Sequence, residues 1–127
     1  MKFLCLICAE KVMEQMETAD ADSHYAEYAK FTEDIRASGH YISCNRLLPP
    51  SEATTIRVRN GKVSATDGPW IETKEQLGGY FLIEARDLNE AIRIASRIPG
   101  AARGCVEIRP VAEDEQTVTA LGFDKHP

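Results

Sequence analysis

The stretch GYFLIEARDLNEAIRIASRIPG, residues 79–100, carries a strand and a helix with a built-in start signal. In Gly79–Ala85 the side chains alternate. Phe81, Ile83 and Ala85 share one side, and Tyr80, Leu82 and Glu84 share the other. Asp87-Leu88-Asn89-Glu90 follows as an Asp-led capping box. It opens a helix whose apolar positions are Leu88, Ala91, Ile92, Ala95 and Ile98, and Pro99-Gly100 ends it. A further strand is expected at Cys105–Val111, with Val106 and Ile108 opposing Cys105, Glu107 and Arg109.

Working back from residue 79, Thr54–Arg59 and Lys62–Thr66 flank Asn60-Gly61, the favoured pair for a type I′ hairpin turn. Tyr41–Leu48 reads as a strand stopped by Pro49-Pro50. Before it, His24, Tyr28, Phe31 and Ile35 fall at i, i+4, i+7 and i+11 and form one stripe of an amphipathic helix. Asp22 or Ser23 can cap its start and Gly39 can end it. Lys2–Cys8 is the first strand, and residues 10–22 are a polar connection. The order is β-α-β, a hairpin, then β-α-β. That is an α+β layer, most simply a ferredoxin-like antiparallel sheet with two helices on one face and an inserted β-hairpin. Residues 1–111 form one domain in this reading, and 112–127 a C-terminal tail or arm.

The 127 residues carry a formal net charge of −5, which argues against direct nucleic-acid binding through phosphate neutralisation. No apolar run approaches the ~20 residues needed to span a membrane, so a cytoplasmic chain is expected. Cys5 and Cys8 form a C-x-x-C. Inside an alternating strand they point to opposite faces, and no histidine or second pair completes a zinc set. All four cysteines, Cys44 and Cys105 included, are expected reduced and structural, with no metal and no cofactor.

The helices cover one face of the sheet. By alternation the other face mixes Leu4, Leu6, Tyr80 and Leu82 with Arg57, Glu84, Glu107 and Arg109. Charges beside apolar groups need partners. A second copy in a homodimer, a polar cavity for a small ligand, or both would supply them. The alternative is a solvated face with surface ion pairs.

The segment Thr66–Tyr80, TDGPWIETKEQLGGY, is first a corner: Asp67 accepts backbone bonds, Gly68 takes unusual dihedrals and Pro69 fixes φ. Trp70, Glu72, Lys74 and Glu75 could also wall a pocket, and Gly78-Gly79 lets the backbone pass close to something. Trp70 as a plain hydrophobic plug is the other reading.

Five stretches then resemble the YCII-related, or DGPF-domain, family nearly end to end. They are MKFLCLIC (1–8), YAKFTEDIRASG (28–39), ATTIRVRNGKVSATDGPW (53–70), ETKEQLGGYFLIEARDLNEAIRIASRIPGA (72–101) and VEIRPV (106–111). Trp70 stands where the motif has Phe, keeping aromatic character. The resemblance implies a ferredoxin-like fold that pairs sheets into a dimeric α/β barrel. It also implies a sigma-factor partner for some members, and a His–Asp pair with the histidine on the first helix. His24 is the candidate histidine and Asp67 the candidate acid. A neutral imidazole near pH 7 can move a proton while a carboxylate orients it. The other reading of His24 is a helix residue filling the apolar stripe.

Two functions follow as expectations. One is a small-molecule-binding homodimer with cofactor-free acid/base chemistry, as a lyase, isomerase or hydrolase. His24 and Asp67 would be catalytic, and Arg57, Trp70, Lys74, Tyr80 and Arg109 would bind the ligand. The other is a non-catalytic ligand-sensing or regulatory module linked to a transcription partner such as a sigma factor.

Overall fold

The computed structural model describes residues 1–10 and 18–122. Four strands form one antiparallel sheet: β1 (Lys2–Glu10), β2 (Tyr41–Arg46), β5 (Glu75–Glu84) and β6 (Gly104–Pro110), in the order β2-β5-β1-β6. This is the ferredoxin-like order, because each β-α-β half inserts its strands beside the other's. The hairpin strands β3 (Thr54–Arg59) and β4 (Lys62–Asp67) form a separate two-stranded sheet. At its turn Asn60 and Gly61 have φ of 53° and 74°, as a type I′ turn requires.

The core lies between the sheet and helices α1 (Thr18–Ala37) and α2 (Leu88–Ala95). Phe3, Cys5 and Ile7 of β1 and Phe81 and Ile83 of β5, with Ala85 just beyond it, meet Phe31 and Ile35 of α1 and Ala91, Ile94, Ala95 and Ile98 at and beyond α2. The alternation in residues 79–85 therefore sorts the two faces as expected. On α2 the buried face is one step round from the expected one. Leu88 and Ile92 are exposed and Ile94 is buried. Ala91 and Ala95 are small enough to let the helix lie close to the sheet, and they centre the contact on themselves rather than on the larger Leu88 and Ile92.

Helix ends follow local chemistry. An Asp87 carboxylate oxygen accepts from the Glu90 N–H at 2.8 Å, and Glu90 Oε1 accepts from the Arg86 N–H at 3.0 Å. The reciprocal bond thus reaches one residue before the cap rather than the cap itself. Asp87→Ala should cost about 1 kcal/mol of stability, read from the urea midpoint at constant slope. Helix α1 starts earlier than expected, so Asp22 and Ser23 are interior positions, and its start adjoins residues 11–17, which fall outside the described ones. It ends in a Schellman motif: His40 N–H bonds Ile35 O at 2.9 Å, Gly39 N–H bonds Arg36 O at 3.1 Å, and Gly39 has φ of 80°. His40 then ties the two helices together, its ring meeting Ser38 Oγ at 2.7 Å and Glu90 Oε1 at 3.2 Å.

Two corrections affect the helix-free face. Arg57 is not on it, because β3 does not join the main sheet, and Ile56, Val58 and Val63 of the hairpin are exposed. Glu84, Glu107 and Arg109 do alternate onto that face, and in the single chain all three are exposed. Arg109 Nε bonds Glu107 Oε2 at 2.6 Å, a surface pair. Past β6, residues 115–121 form a short helix α3 (Glu115–Leu121), capped by Asp114 accepting from the Thr117 N–H at 2.8 Å. No element was expected there.

Candidate functional site

A cavity of about 550 Å³ opens between α1 and the β2–β5–β1 end of the sheet. His24, Tyr25, Tyr28 and Thr32 of α1 form one wall, and Ile7, Ala9 and Phe81 belong to the floor. The segment Asn45–Pro50 closes the side, and Gln76–Tyr80 runs along it. A volume of this size suits a small organic molecule.

The α1 stripe brings His24 here. Its ring meets Tyr28 edge-on, centroids 4.8 Å apart. Tyr28 stacks parallel to Phe81 at 6.3 Å, and Phe81 meets Phe31 edge-on at 5.1 Å. This aromatic series fixes the cavity wall to the core. The Tyr28 hydroxyl accepts from the Gly100 N–H at 3.0 Å, which ties the helix to the turn after α2. Burial pushes the Tyr28 phenol up, so it stays neutral.

His24 Nδ1 is buried and has no hydrogen-bond partner among the described residues. Burial of the ring, helped by the nearby Arg103 guanidinium, holds the imidazole below its ordinary value, while Glu27 pulls the other way. The ring is therefore neutral near pH 7.

Arg46 supplies a permanent positive charge. Its guanidinium lies over the Tyr25 ring, 5.6 Å from the centroid. Next to it the Asn45 side-chain amide donates to the Tyr80 hydroxyl at 2.9 Å. Among the described residues no Asp or Glu lines the cavity.

Of the residues singled out from sequence, His24 and Tyr80 line this cavity. Asp67, Arg57, Trp70, Lys74 and Arg109 do not. Asp67 ends β4, and the corner after it is tied by its backbone. Gly68 N–H bonds Ala53 O at 2.7 Å, Thr55 Oγ1 donates to Gly68 O at 2.8 Å, and Gly68 has φ of 102°. Trp70 is 75% exposed, neither plug nor wall within one chain. The Gly78-Gly79 pair does admit close approach, but by backbone: a Cβ on Gly79 would stand 2.8 Å from Asn45 O of β2.

Sequence reasoning missed Tyr25, Asn45 and Arg46. Alternation from Cys44, which packs on the core, does put Arg46 on the cavity side. The pairing of β2 with β5 shifts between Tyr41 and Ser43, however, and parity counted from Tyr41 gives the opposite answer. Among the described residues no group of three or more His, Cys, Asp or Glu side chains is arranged to hold a metal ion. No helix among them is long and apolar enough to cross a membrane.

Fold and cavity together define a ferredoxin-like α+β protein with a ligand-sized hollow between helix and sheet. The chain belongs to the YCII-related domain family, whose model matches residues 1–115. It is 42% identical over 69 residues to an uncharacterized protein of Rhizobium meliloti (strain 1021), a match covering 53% of this chain and 56% of that one. The match thus spans little more than half the relative's length. Among solved structures it is similar to 5-chloro-2-hydroxyhydroquinone dehydrochlorinase from Burkholderia phenoliruptrix AC1100, determined in complex with 2,5-dihydroxybenzoquinone. The TM-score is 0.54 and the identity 14%, over 91% of this chain and 98% of that one. At that identity the likeness concerns the fold.

Proposed function

We propose that the cavity binds a small aromatic anion and that His24 exchanges a proton with it, without a cofactor, as a lyase, isomerase or hydrolase would require. The observation that carries this reading is the lining itself. Among the described residues it holds Arg46, the His24 imidazole and several aromatic rings, and no carboxylate. Arg46 takes the clamping role that sequence reasoning gave to Arg57 and Arg109. The dehydrochlorinase of similar fold is in complex with an oxygenated six-membered ring, which is compatible with this class of occupant.

The test is binding of benzoate against benzamide, read by thermal shift and calorimetry. Benzoate should bind and stabilise the fold, and benzamide should bind at least about tenfold more weakly, equivalent to ~1.4 kcal/mol. Equal binding of the two would overturn the anion reading.

The pH dependence has a definite sign. The folded imidazole binds fewer protons than the unfolded one below the ordinary histidine value of ~6.5, so stability of the free protein falls as pH descends from there. An anion in the cavity beside His24 favours the protonated ring. Benzoate affinity should therefore rise as pH falls from ~8 to ~6 in the native protein and stay flat in His24→Phe.

A second reading is a non-catalytic sensor acting on a transcription partner such as a sigma factor. It is favoured by one observation: among the described residues no carboxylate orients His24, and Asp67 is not in the cavity. Tight ligand binding with no chemical change in the ligand would select it. In either reading we infer a homodimer formed through the helix-free face, where Leu4, Leu6 and Leu82 are half-buried in the single chain and await cover. Light scattering at micromolar concentration should give twice the chain mass.

A further inference from the structure

Arg46, Gly79 and Ile7 cross the sheet in one row. Arg46 of β2 stands directly opposite Gly79 of β5, and Gly79 directly opposite Ile7 of β1. Directly opposed residues share a face, and Ile7 belongs to the core beneath the helices, which fixes the face of all three. In the neighbouring row the ring of Phe81, between Cys44 and Cys5, fills the middle position. Gly79 has no side chain, so its row is open at the centre. The resulting trough spans two strand spacings, about 9–10 Å, from Arg46 to Ile7. It lies on the opposite side of the sheet from the surface that a second copy would cover.

Each end of the trough carries a polar group. At one end the Arg46 guanidinium is set over the Tyr25 ring. At the other is the Tyr28 hydroxyl. A Cβ on Gly100 would stand 2.6 Å from that oxygen and 2.7 Å from Ile7 Cγ2, so hydroxyl and methyl group flank one point. The Gly100 N–H donates to the oxygen at 3.0 Å, which holds the phenol in place, and among the described residues no acceptor takes the phenol's own proton. Arg46, Gly79, Ile7, Tyr28 and Gly100 all line the cavity.

We propose that Tyr28 is a specificity-determining residue that donates its O–H to a ring oxygen of the bound anion, and that the ligands are aromatic acids with a hydroxyl on the far side of the ring from the carboxylate. The carboxylate end rests on the anion reading above, and the Tyr28 end on the row geometry alone. The benzene ring lies across the gap over Gly79, its carboxylate at Arg46 and its hydroxyl at Tyr28. The phenol stays neutral near pH 7 and keeps its proton to donate. An analogue with a methyl group in place of the hydroxyl turns carbon toward that donor and leaves it unpaired.

The experiment compares 4-hydroxybenzoate, 4-methylbenzoate and 2-hydroxybenzoate by calorimetry. The methyl compound matches the hydroxyl in size but cannot accept a hydrogen bond. The native chain should bind 4-hydroxybenzoate at least about fivefold tighter than 4-methylbenzoate, the worth of one neutral hydrogen bond. 2-Hydroxybenzoate has its oxygens at one end and should not share the gain. In Tyr28→Phe the 4-hydroxy and 4-methyl compounds should bind alike. That variant also takes the acceptor from the Gly100 N–H and should melt lower. The readout is therefore the ratio of the two ligands within each protein, which a purely structural role would leave unchanged. If Tyr28→Phe does not fold, the native comparisons still decide. Equal binding of 4-hydroxybenzoate and 4-methylbenzoate by the native chain, an equal gain from 2-hydroxybenzoate, or an unchanged ratio in Tyr28→Phe would each overturn the proposal. A preference for benzoate over benzamide with no hydroxyl preference would remove Tyr28 and leave the anion reading standing. A preference for 4-hydroxybenzamide over 4-methylbenzamide, with benzoate and benzamide bound alike, would keep Tyr28 and remove the anion reading.

Discussion

Arg46→Ala should weaken benzoate binding by about 10- to 100-fold, the loss of one charge-assisted contact worth about 1.5–3 kcal/mol. The fold should survive, because Arg46 ends β2, is exposed, and packs its guanidinium on Tyr25 rather than in the core. Thermal unfolding of the free variant should stay within about 0.5 kcal/mol of the native protein, apart from the small cation–π contribution. Arg46→Lys should fall between the two. It keeps the charge but loses the planar fork and the stack on the ring. Arg57→Ala and Arg109→Ala serve as comparisons, since neither residue lines the cavity. If Arg57→Ala weakens binding as much as Arg46→Ala, the ligand does not sit where the cavity is.

Gly104→Ala should produce the largest loss of stability of any single-methyl change in the sheet. A Cβ at Gly104 would stand 2.1 Å from Cys8 O, 2.9 Å from Ala9 Cα and 3.0 Å from Cys8 C. All three are backbone atoms of β1, so no side-chain rotation relieves the contact, and β6 must move away from its partner. The expected cost is about 3 kcal/mol or more, at or beyond the upper end for overpacking, and a fall in melting temperature of roughly 10 °C. Gly78→Ala is the internal control. Its Cβ would have one neighbour, at 3.9 Å, and its backbone is not left-handed. That change should stay within about 1 kcal/mol. Equal losses at the two positions would mean that β6 pairs with β1 differently from the register described.

Both predictions turn on places where the chain departs from simple alternation. The strand GYFLIEA sorts its own faces correctly because pairing with β1 is regular from Glu84 to Gly79. Between Ile7 and Cys8 that pairing shifts. Beyond the shift Cys8 faces Leu77, and Ala9 with Gln76 lines the cavity. In β2 a similar shift separates Tyr41 from Cys44, and with it the parity that would have identified Arg46. A bulge adds one residue to one strand, so it inverts every assignment past it, and alternation contains no mark of where it falls. The Asp67 and Trp70 assignments failed to meet His24 in this cavity for a different reason. They rest on a hairpin whose strands read like any others, and only tertiary placement separates that hairpin from the main sheet.

Local chemistry settled most of the architecture. The 3.6-residue stripe of His24, Tyr28, Phe31 and Ile35 fixed the inner face of α1. Asn60-Gly61 fixed the hairpin turn, Asp87 the start of α2, and Gly39 the end of α1. Each depends on residues within a turn or two, so sequence spacing carries the information. The cavity, the cation within it, the buried imidazole nitrogen and the Cys8–Cys105 pairing depend on strand register and on which elements lie side by side. Those are set by how the whole core packs, and residues 97 positions apart in the chain become neighbours only once it has.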